Sequence, residues 1–371
     1  MFQLRAVLAG TLALALLAGC QRTQVEQRGY RGLGMLQNAR PQALAALAEN
    51  NEIPKPLRKV SAAGPRASET YQNVQLLGDL SKPEFARLML SFKRWLAPDE
   101  GCNYCHNAPD YASDAKYPKL VARAMIAMTR HINSDWKDHV KATGVTCWTC
   151  HRGQGLPAKT WYRPPSQEGA GMMRVRTSAR LPTAAAATTA LPVDALTDYL
   201  LDAQNIRING PTPLQTGNPQ HIRNARSTYS LMMVMSESLG VNCTFCHNAR
   251  AFASWELSTP QRVQAWYGIR MARDLNAHTI EPLAALLPKE RLGPTGDAPK
   301  VYCATCHQGA RKPMNGISMI GDFPELVAPP HPNWGAASAP AAAPTPAASA
   351  GQLQAAANQP VALAAAVPLV R

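Results

Sequence analysis

The chain has 371 residues, a formal charge of +14, 31 prolines and only 6% aromatic residues. That length allows one large or two smaller domains, and so few aromatics make a conventional apolar core thin. The basic excess would suit a nucleic-acid binder, but no aromatic–basic RNA-binding pattern accompanies it, so nucleic acid is excluded as a partner.

From the first residue on, Phe2 to Ala18 is an apolar run with Arg5 near its start, too short and too early to span a membrane. It ends in Leu17-Ala18-Gly19-Cys20, which resembles a bacterial lipobox. Residues 1–19 therefore read as a lipoprotein signal peptide, with cleavage and acylation at Cys20 tethering an exported chain to the membrane. Residues 20–80 are polar with scattered Gly and Pro and are expected as extended surface coil with little helix. Ser81-Lys82-Pro83-Glu84 then supplies an N-cap and a first-turn acid, predicting a helix from Pro83 to about Leu96. Along it Phe85, Leu88, Met89, Phe92 and Leu96 recur at helical spacing.

Pro118 opens a second helix, through Leu120, Val121, Met125, Ile126 and Met128 to about Ile132. Residues 155–222 are rich in Pro, Ala and Thr, including the run from Leu181 to Pro192, and read as a linker. Two further helices are predicted, from about Arg223 to Leu239 and from Thr259 or Pro260 to Asn276. Residues 329–371 are dominated by Ala, Pro and Gln after the last aromatic, Trp334, and cannot bury enough surface to order themselves.

Each helix leads to the same short frame. Cys102-Asn103-Tyr104-Cys105-His106, Cys147-Trp148-Thr149-Cys150-His151, Cys243-Thr244-Phe245-Cys246-His247 and Cys303-Ala304-Thr305-Cys306-His307 all spell C-x-x-C-H. A lone C-x-x-C suits a zinc half-site or a redox dithiol. Four pairs, each followed at once by His, are the attachment pattern of c-type haem, in which two thiols join the porphyrin and the imidazole binds iron. Four covalently bound haems are expected. Eight of the nine cysteines are then used, Cys20 remains, and no pair is left for a structural disulfide.

The helix–motif order repeats, giving a first dihaem half at 81–154 and a second at 223–328. Arg130-His131-Ile132-Asn133 aligns with Arg273-Asp274-Leu275-Asn276, and Met89 with Met232. The expected fold is mainly α: a multihaem cytochrome with an internal two-fold repeat of helix–turn–CxxCH units, much coil and little strand. Met89, Met125 and Met232 stand on the helices before motifs one, two and three and are candidate distal ligands, although Met233 and Met235 compete with Met232 on spacing alone. At motif four the alignment puts Gly268 where Met125 stands and Met271 where Met128 stands. That iron is left open, or bound by Met271, or closed by one of the spare imidazoles, His131, His139, His221, His278 or His331.

The four motifs, the paired halves, the lipobox and the methionine spacings resemble the tetrahaem cytochrome subunit of purple-bacterial photosynthetic reaction centres, over roughly residues 20–335. The resemblance implies Met/His ligation by Met89 with His106, Met125 with His151 and Met232 with His247. It implies bis-His ligation of the fourth haem by His139 and His307, and Trp266-Tyr267-Gly268-Ile269-Arg270 is similar to the family's segment near that haem. It further implies a protein that carries electrons rather than an enzyme, on the periplasmic face of the inner photosynthetic membrane. Its partners would be the reaction-centre core subunits and a soluble periplasmic donor, a cytochrome c or a high-potential iron–sulfur protein. The haems would form a roughly linear row of alternating potentials, with motif three at the membrane end, reducing the photo-oxidised bacteriochlorophyll pair, and motif one at the donor end. The resemblance does not account for the Ala/Pro tail.

One feature of the residues bears on donor docking. From Trp95 to Ala115 there are four acids, Asp99, Glu100, Asp110 and Asp114, and no Lys or Arg, which suits a cationic donor. A periplasmic multihaem reductase would need an open iron, and a quinol-linked hub would need uniformly low potentials. Methionine-rich ligation argues against both.

Overall fold

The structure, a computed structural model, describes residues 23–28, 35–165, 194–208 and 222–327. Cys20, the Leu181 to Pro192 run, His221, His331, Trp334 and the tail lie outside the described residues. Among the described residues the protein is mainly helical with much coil, and its one sheet is a two-stranded antiparallel hairpin, β1 (Gln24–Arg28) with β2 (Met35–Ala39).

Residues 35–50 depart from the coil expected there. Helix α1 (Pro41–Asn50) follows the hairpin directly, with proline in its first turn. Its Gln-Ala-Leu-Ala-Ala-Leu-Ala run is the strongest local helix-forming composition in the segment, and proline at the start already has the right backbone angle. No residue of α1 is buried, so tertiary contacts at its end hold it in place. Asn51, fully buried, donates to Leu47 O and accepts from Met314 N and Arg152 Nη2.

The four longer helices sit where the sequence predicts. Helix α2 (Lys82–Leu96) begins at Ser81, whose hydroxyl accepts from Glu84 N while the Glu84 carboxylate accepts from Ser81 N, a reciprocal cap. Helices α3 (Tyr117–Asp135), α4 (Ile222–Leu239) and α5 (Pro260–Leu275) follow, α3 and α5 each with proline in the first turn. Helix α4 stops at Gly240, which has φ +63° and where a Cβ would run into the Gly309 carbonyl. Glycine is needed there both for its backbone angle and for its lack of bulk.

Apolar burial is divided. One cluster gathers Leu77, Leu88, Trp95, Ile126, Met314 and Phe323, with the Arg87 guanidinium 4.4 Å over the Phe323 ring. The other contains Trp161, Tyr199, Leu200, Leu231 and Ile269. Tyr199 and Leu200 come from the segment read as linker. Residues 194–208 are therefore partly built into the core, with a short helix at Leu196–Leu200, because Tyr199 and Leu200 are the apolar side chains that cover α4 and α5.

Candidate functional site

Motif one opens as a 3-10 turn, Gly101–Tyr104, at the end of α2, and motif two is a single α-turn, Cys147–His151. A cavity of ≈ 510 Å³ is lined by Met89, Cys102, Cys105 and His106 together. A second, of ≈ 140 Å³, is lined by Met125, Cys147, Cys150 and His151. Each brings to one place the thioether, two cysteine sulfurs and imidazole that the sequence groups around one motif. Phe92, Leu96, Tyr104, Cys105, Ala122 and Ile126 line both cavities, so a single layer of side chains separates them.

The imidazoles share one hydrogen-bond pattern. The Nδ1–H of His106 donates to Tyr111 O at 3.0 Å, His151 to Gln154 O at 2.8 Å, His247 to Phe252 O at 2.9 Å and His307 to Ala310 O at 2.9 Å. His139 does the same with Gln264 O at 2.9 Å. In all five rings this fixes the tautomer that leaves Nε2 as the nitrogen with a lone pair. Burial holds His139, His151 and His247 below the ordinary imidazole value and takes His307 down to about 4. These four rings are neutral at neutral pH, the state a metal requires. His131 and His278 differ: their ring nitrogens face the carboxylates of Asp135 and Asp274, as a structural imidazole does.

His139 reaches motif four in the place the sequence leaves vacant. A Cβ on Gly268 would stand 2.5 Å from His139 Cε1 and 2.9 Å from Nδ1, so only glycine admits this ring against α5. The His139 and His307 ring centroids are 6.0 Å apart. Two neutral imidazoles so close together are a donor pair of the kind a metal takes. Met271, the competing candidate, is half-buried one turn further along α5. On α4, Met232 and Met235 face the second core cluster while Met233 is 47% exposed, which removes Met233 from the choice.

Burial disfavours the thiolate at four of the motif cysteines. It pushes Cys105, Cys246 and Cys303 up to about 11 and Cys147 to about 12, against the thiolate that a reactive dithiol or a zinc site needs. No group of three or more His, Cys, Asp or Glu able to hold a metal ion occurs among the described residues. Cys150 and Cys306 come together in space. The sequence assigns both to haem and leaves no disulfide, yet here they are joined to each other, with Cα atoms 4.5 Å apart across 156 residues. The turns of motifs two and four pack side by side, which brings their second sulfurs together. A sulfur so paired cannot also form a thioether.

The acidic stretch beside motif one is weaker than its composition suggests. Asp114 is ion-paired with Arg123 at 2.9 Å and Lys119 at 3.1 Å, and the Arg123 bond holds its carboxyl well below the usual range. Asp110 is exposed, with one oxygen capping the turn at Ala112 N and Ser113 N. Asp99 and Glu100 remain exposed. The missing signal lay just outside the window, in Lys119 and Arg123 on the next helix.

Several residues that organise the motifs went unnoticed in the sequence. The buried Asn133 donates to Val145 O and accepts from Val145 N, two residues before motif two. Asn276 makes the same pair of bonds with Val301, two residues before motif four. Gly153 N donates to Trp95 O at 2.9 Å and Gly309 N to Ser238 O at 2.8 Å, fastening the glycine after each histidine to the end of α2 or α4. Arg152 donates to Cys306 O at 3.2 Å and to the Asn50 carbonyl at the end of α1. An asparagine at equal positions in two helices was the available clue. Its partners lie across loops that periodicity does not read.

Comparison with known proteins bears on the same residues. Residues 19–327 match the family described as "Photosynthetic reaction centre cytochrome C subunit". The photosynthetic reaction center cytochrome c subunit of Rubrivivax gelatinosus is 46% identical over 331 residues, covering 88% of this chain and 90% of that protein. That of Thermochromatium tepidum is 46% identical over 319 residues, covering 85% and 78%. That of Roseobacter denitrificans is 42% identical over 275 residues, covering 70% and 73%. This chain belongs to the family of photosynthetic reaction centre cytochrome c subunits.

Proposed function

We propose that the chain is a tetrahaem electron carrier that accepts electrons from soluble donors and re-reduces the oxidised bacteriochlorophyll pair of a reaction centre. It makes and breaks no bonds in a substrate. The observation that carries this reading is His139 facing His307 across Gly268, since it gives motif four a second imidazole where the repeat withdraws its methionine. Haem, when bound, supplies reversible one-electron exchange at iron.

The chain's own groups fit that cofactor. Cys102, Cys105, Cys147, Cys150, Cys243, Cys246, Cys303 and Cys306 would hold it covalently, the sulfurs of Cys150 and Cys306 going to thioethers rather than to each other. His106, His151, His247 and His307 would bind iron through Nε2, together with Met89, Met125, Met232 and His139. Met89 and Met125 already line the cavities of their motifs. Methionine ligands raise reduction potential and a second imidazole lowers it, so the sites are unequal. Two protein ligands at each haem would leave no place for a substrate, which disfavours the reductase reading.

The chain is read as two dihaem halves of one repeat. The paired bonds of Asn133 and Asn276, and of Gly153 and Gly309, support this. So does the contact between His131 and Asp274, which occupy equivalent places, because repeat-related positions touch only near a two-fold axis. The motifs then run one, two, four, three: one and two share a wall, two and four meet at Cys150 and Cys306, and Gly240 before motif three abuts Gly309 after motif four. Motif one, beside Asp99 and Glu100, would meet the soluble donor. Motif three, with exposed Phe252, Trp255, Leu257 and Val263 around it, would face the reaction-centre core. An acylated Cys20 would hold the chain at the periplasmic membrane face, since no helix among the described residues is long and apolar enough to cross a membrane.

The test is a pyridine-haemochrome count against protein mass, repeated on the reduced protein under carbon monoxide. Four haems per chain and an unshifted spectrum are expected. Two or three haems, or a ferrous centre that takes up the gas, would contradict the reading.

A further inference from the structure

Lys119 stands where a cation is hard to explain. It lies in the first turn of α3, where the helix dipole repels positive charge, and it is only 9% exposed. A lysine is rarely so buried unless its ammonium is fully engaged. Here Nζ donates to Tyr111 O at 3.0 Å, Ala112 O at 2.7 Å and Ser113 O at 2.9 Å, and pairs with Asp114 at 3.1 Å. The Tyr111 oxygen is the one that accepts the His106 Nδ1–H. Among the described residues, no lysine or arginine donates to the matching acceptors at Gln154, Phe252 and Ala310. Lys119 also lines the cavity shared by Met89, Cys102, Cys105 and His106.

We infer that Lys119 is a positioning residue that raises the reduction potential at motif one by acting on His106 through the Tyr111 carbonyl. The inference rests on His106 being an iron ligand. A strong acceptor on Nδ1–H gives an imidazole more negative character and makes it a better donor, which favours oxidised iron. An ammonium on the same oxygen draws charge away, weakens that acceptor and favours reduced iron. Asp114, itself tied to Arg123 through both oxygens at 2.9 Å, limits the effect and fixes the geometry.

The experiment is a spectroelectrochemical titration of the full haem-loaded chain carrying Lys119→Met. Partners of this kind are typically worth 10–100-fold in metal affinity or activity, and a comparable effect is expected on the redox equilibrium. At the low end, one of four midpoints falls by about tenfold in its equilibrium constant, about 59 mV for one electron, while Lys119→Arg keeps the original value. If Lys119 merely scaffolds the loop, its loss frees His106 from Tyr111 and the midpoint rises. A rise, no change, or movement of all four midpoints overturns the inference. In the reduced protein, the His106 Nδ1 proton resonance should move downfield in Lys119→Met. A fallen midpoint with that proton unmoved is charge acting through space and overturns the positioning role. Should Lys119→Met fail to fold, Asp114→Asn tests the same link with opposite sign, raising the midpoint, and an unmoved midpoint there overturns it. His106→Gly separates the two readings. An unaltered motif-one spectrum removes the ligation itself, whereas an altered one beside an unmoved Lys119→Met midpoint overturns the role of Lys119 alone.

Discussion

Motifs two and four differ from one and three in how the chain turns. Cys147–His151 and Cys303–His307 are α-turns ending on a left-handed residue, Arg152 or Gln308, followed by glycine. Motifs one and three are 3-10 turns, Gly101–Tyr104 and Cys243–Phe245, and their histidines bond to carbonyls five residues on rather than three. The α-turn closed by glycine lets two and four pack against each other and against buried Asn133 and Asn276. The longer loop that follows the 3-10 turn carries one and three outward, beside exposed Tyr111 and Phe252. Motifs two and four are thus tied into the stability of the fold, and motifs one and three carry more exposed side chains. Substitutions at the centre should cost stability, and those at the ends should change encounter.

The largest effect is expected at the centre. His131 is 7% exposed and donates to Asp135 at 2.6 Å and to Asp274 at 2.5 Å, joining α3 to α5. Removing one partner of a buried ion pair costs about 3–5 kcal/mol, so His131→Leu should lower the denaturation midpoint sharply. Burial alone would pull the His131 value down, but the Asp274 and Asp135 carboxylates outweigh it and the net shift is upward. Its contribution is therefore complete below the unfolded imidazole value, roughly 6.5, and is lost as pH rises through the raised folded value. Burial likewise opposes Asp274, yet bonds from His131, His278 and Trp136 leave it lowered, so its contribution fades as pH falls through that lowered value. Stability measured against pH should lose its alkaline decline in the variant. An unchanged profile would break the link between the halves.

Asn276→Ala comes next. It strips bonds from Leu200 O, Val301 O and Val301 N at a buried site, and about 1–3 kcal/mol per unsatisfied group is the usual cost. Chemical denaturation should show a loss of about 3 kcal/mol with the slope unchanged. Gly268→Ala is smaller in stability, about 1–3 kcal/mol for overpacking, but its signature is specific. The new Cβ displaces His139, so one haem in four should begin to bind carbon monoxide. At the outer end, Asp99→Lys with Glu100→Lys should leave stability unaltered and slow reduction by a basic soluble cytochrome about three- to tenfold at low ionic strength. An equal rate would remove these two acids from docking, and a large loss of stability would erase the distinction between inner and outer motifs.

Much of this was legible in the sequence because the signals are local. Ser81 with Glu84, and prolines 83, 118 and 260, mark helix starts within a residue or two, and C-x-x-C-H announces itself. The vacancy at Gly268 was also visible, although the spare imidazoles could not be told apart without knowing which carboxylates claim His131 and His278. What stayed hidden is long-range. Nothing near Cys150 points to Cys306, and nothing near Tyr199 distinguishes it from linker until α4 and α5 pack on it. Helix α1 was missed for a different reason: an Ala/Leu run without a buried face reads as coil when periodicity is the guide.

The claim on which the account stands is that four irons, all closed by protein ligands of unequal kind, share this chain. An anaerobic redox titration followed at the haem α-bands tests it most directly. The account predicts four one-electron components with separated midpoints, the bis-imidazole site of His139 and His307 lying below its methionine-ligated neighbours. Fewer than four components, or four midpoints clustered at one low potential, would contradict it.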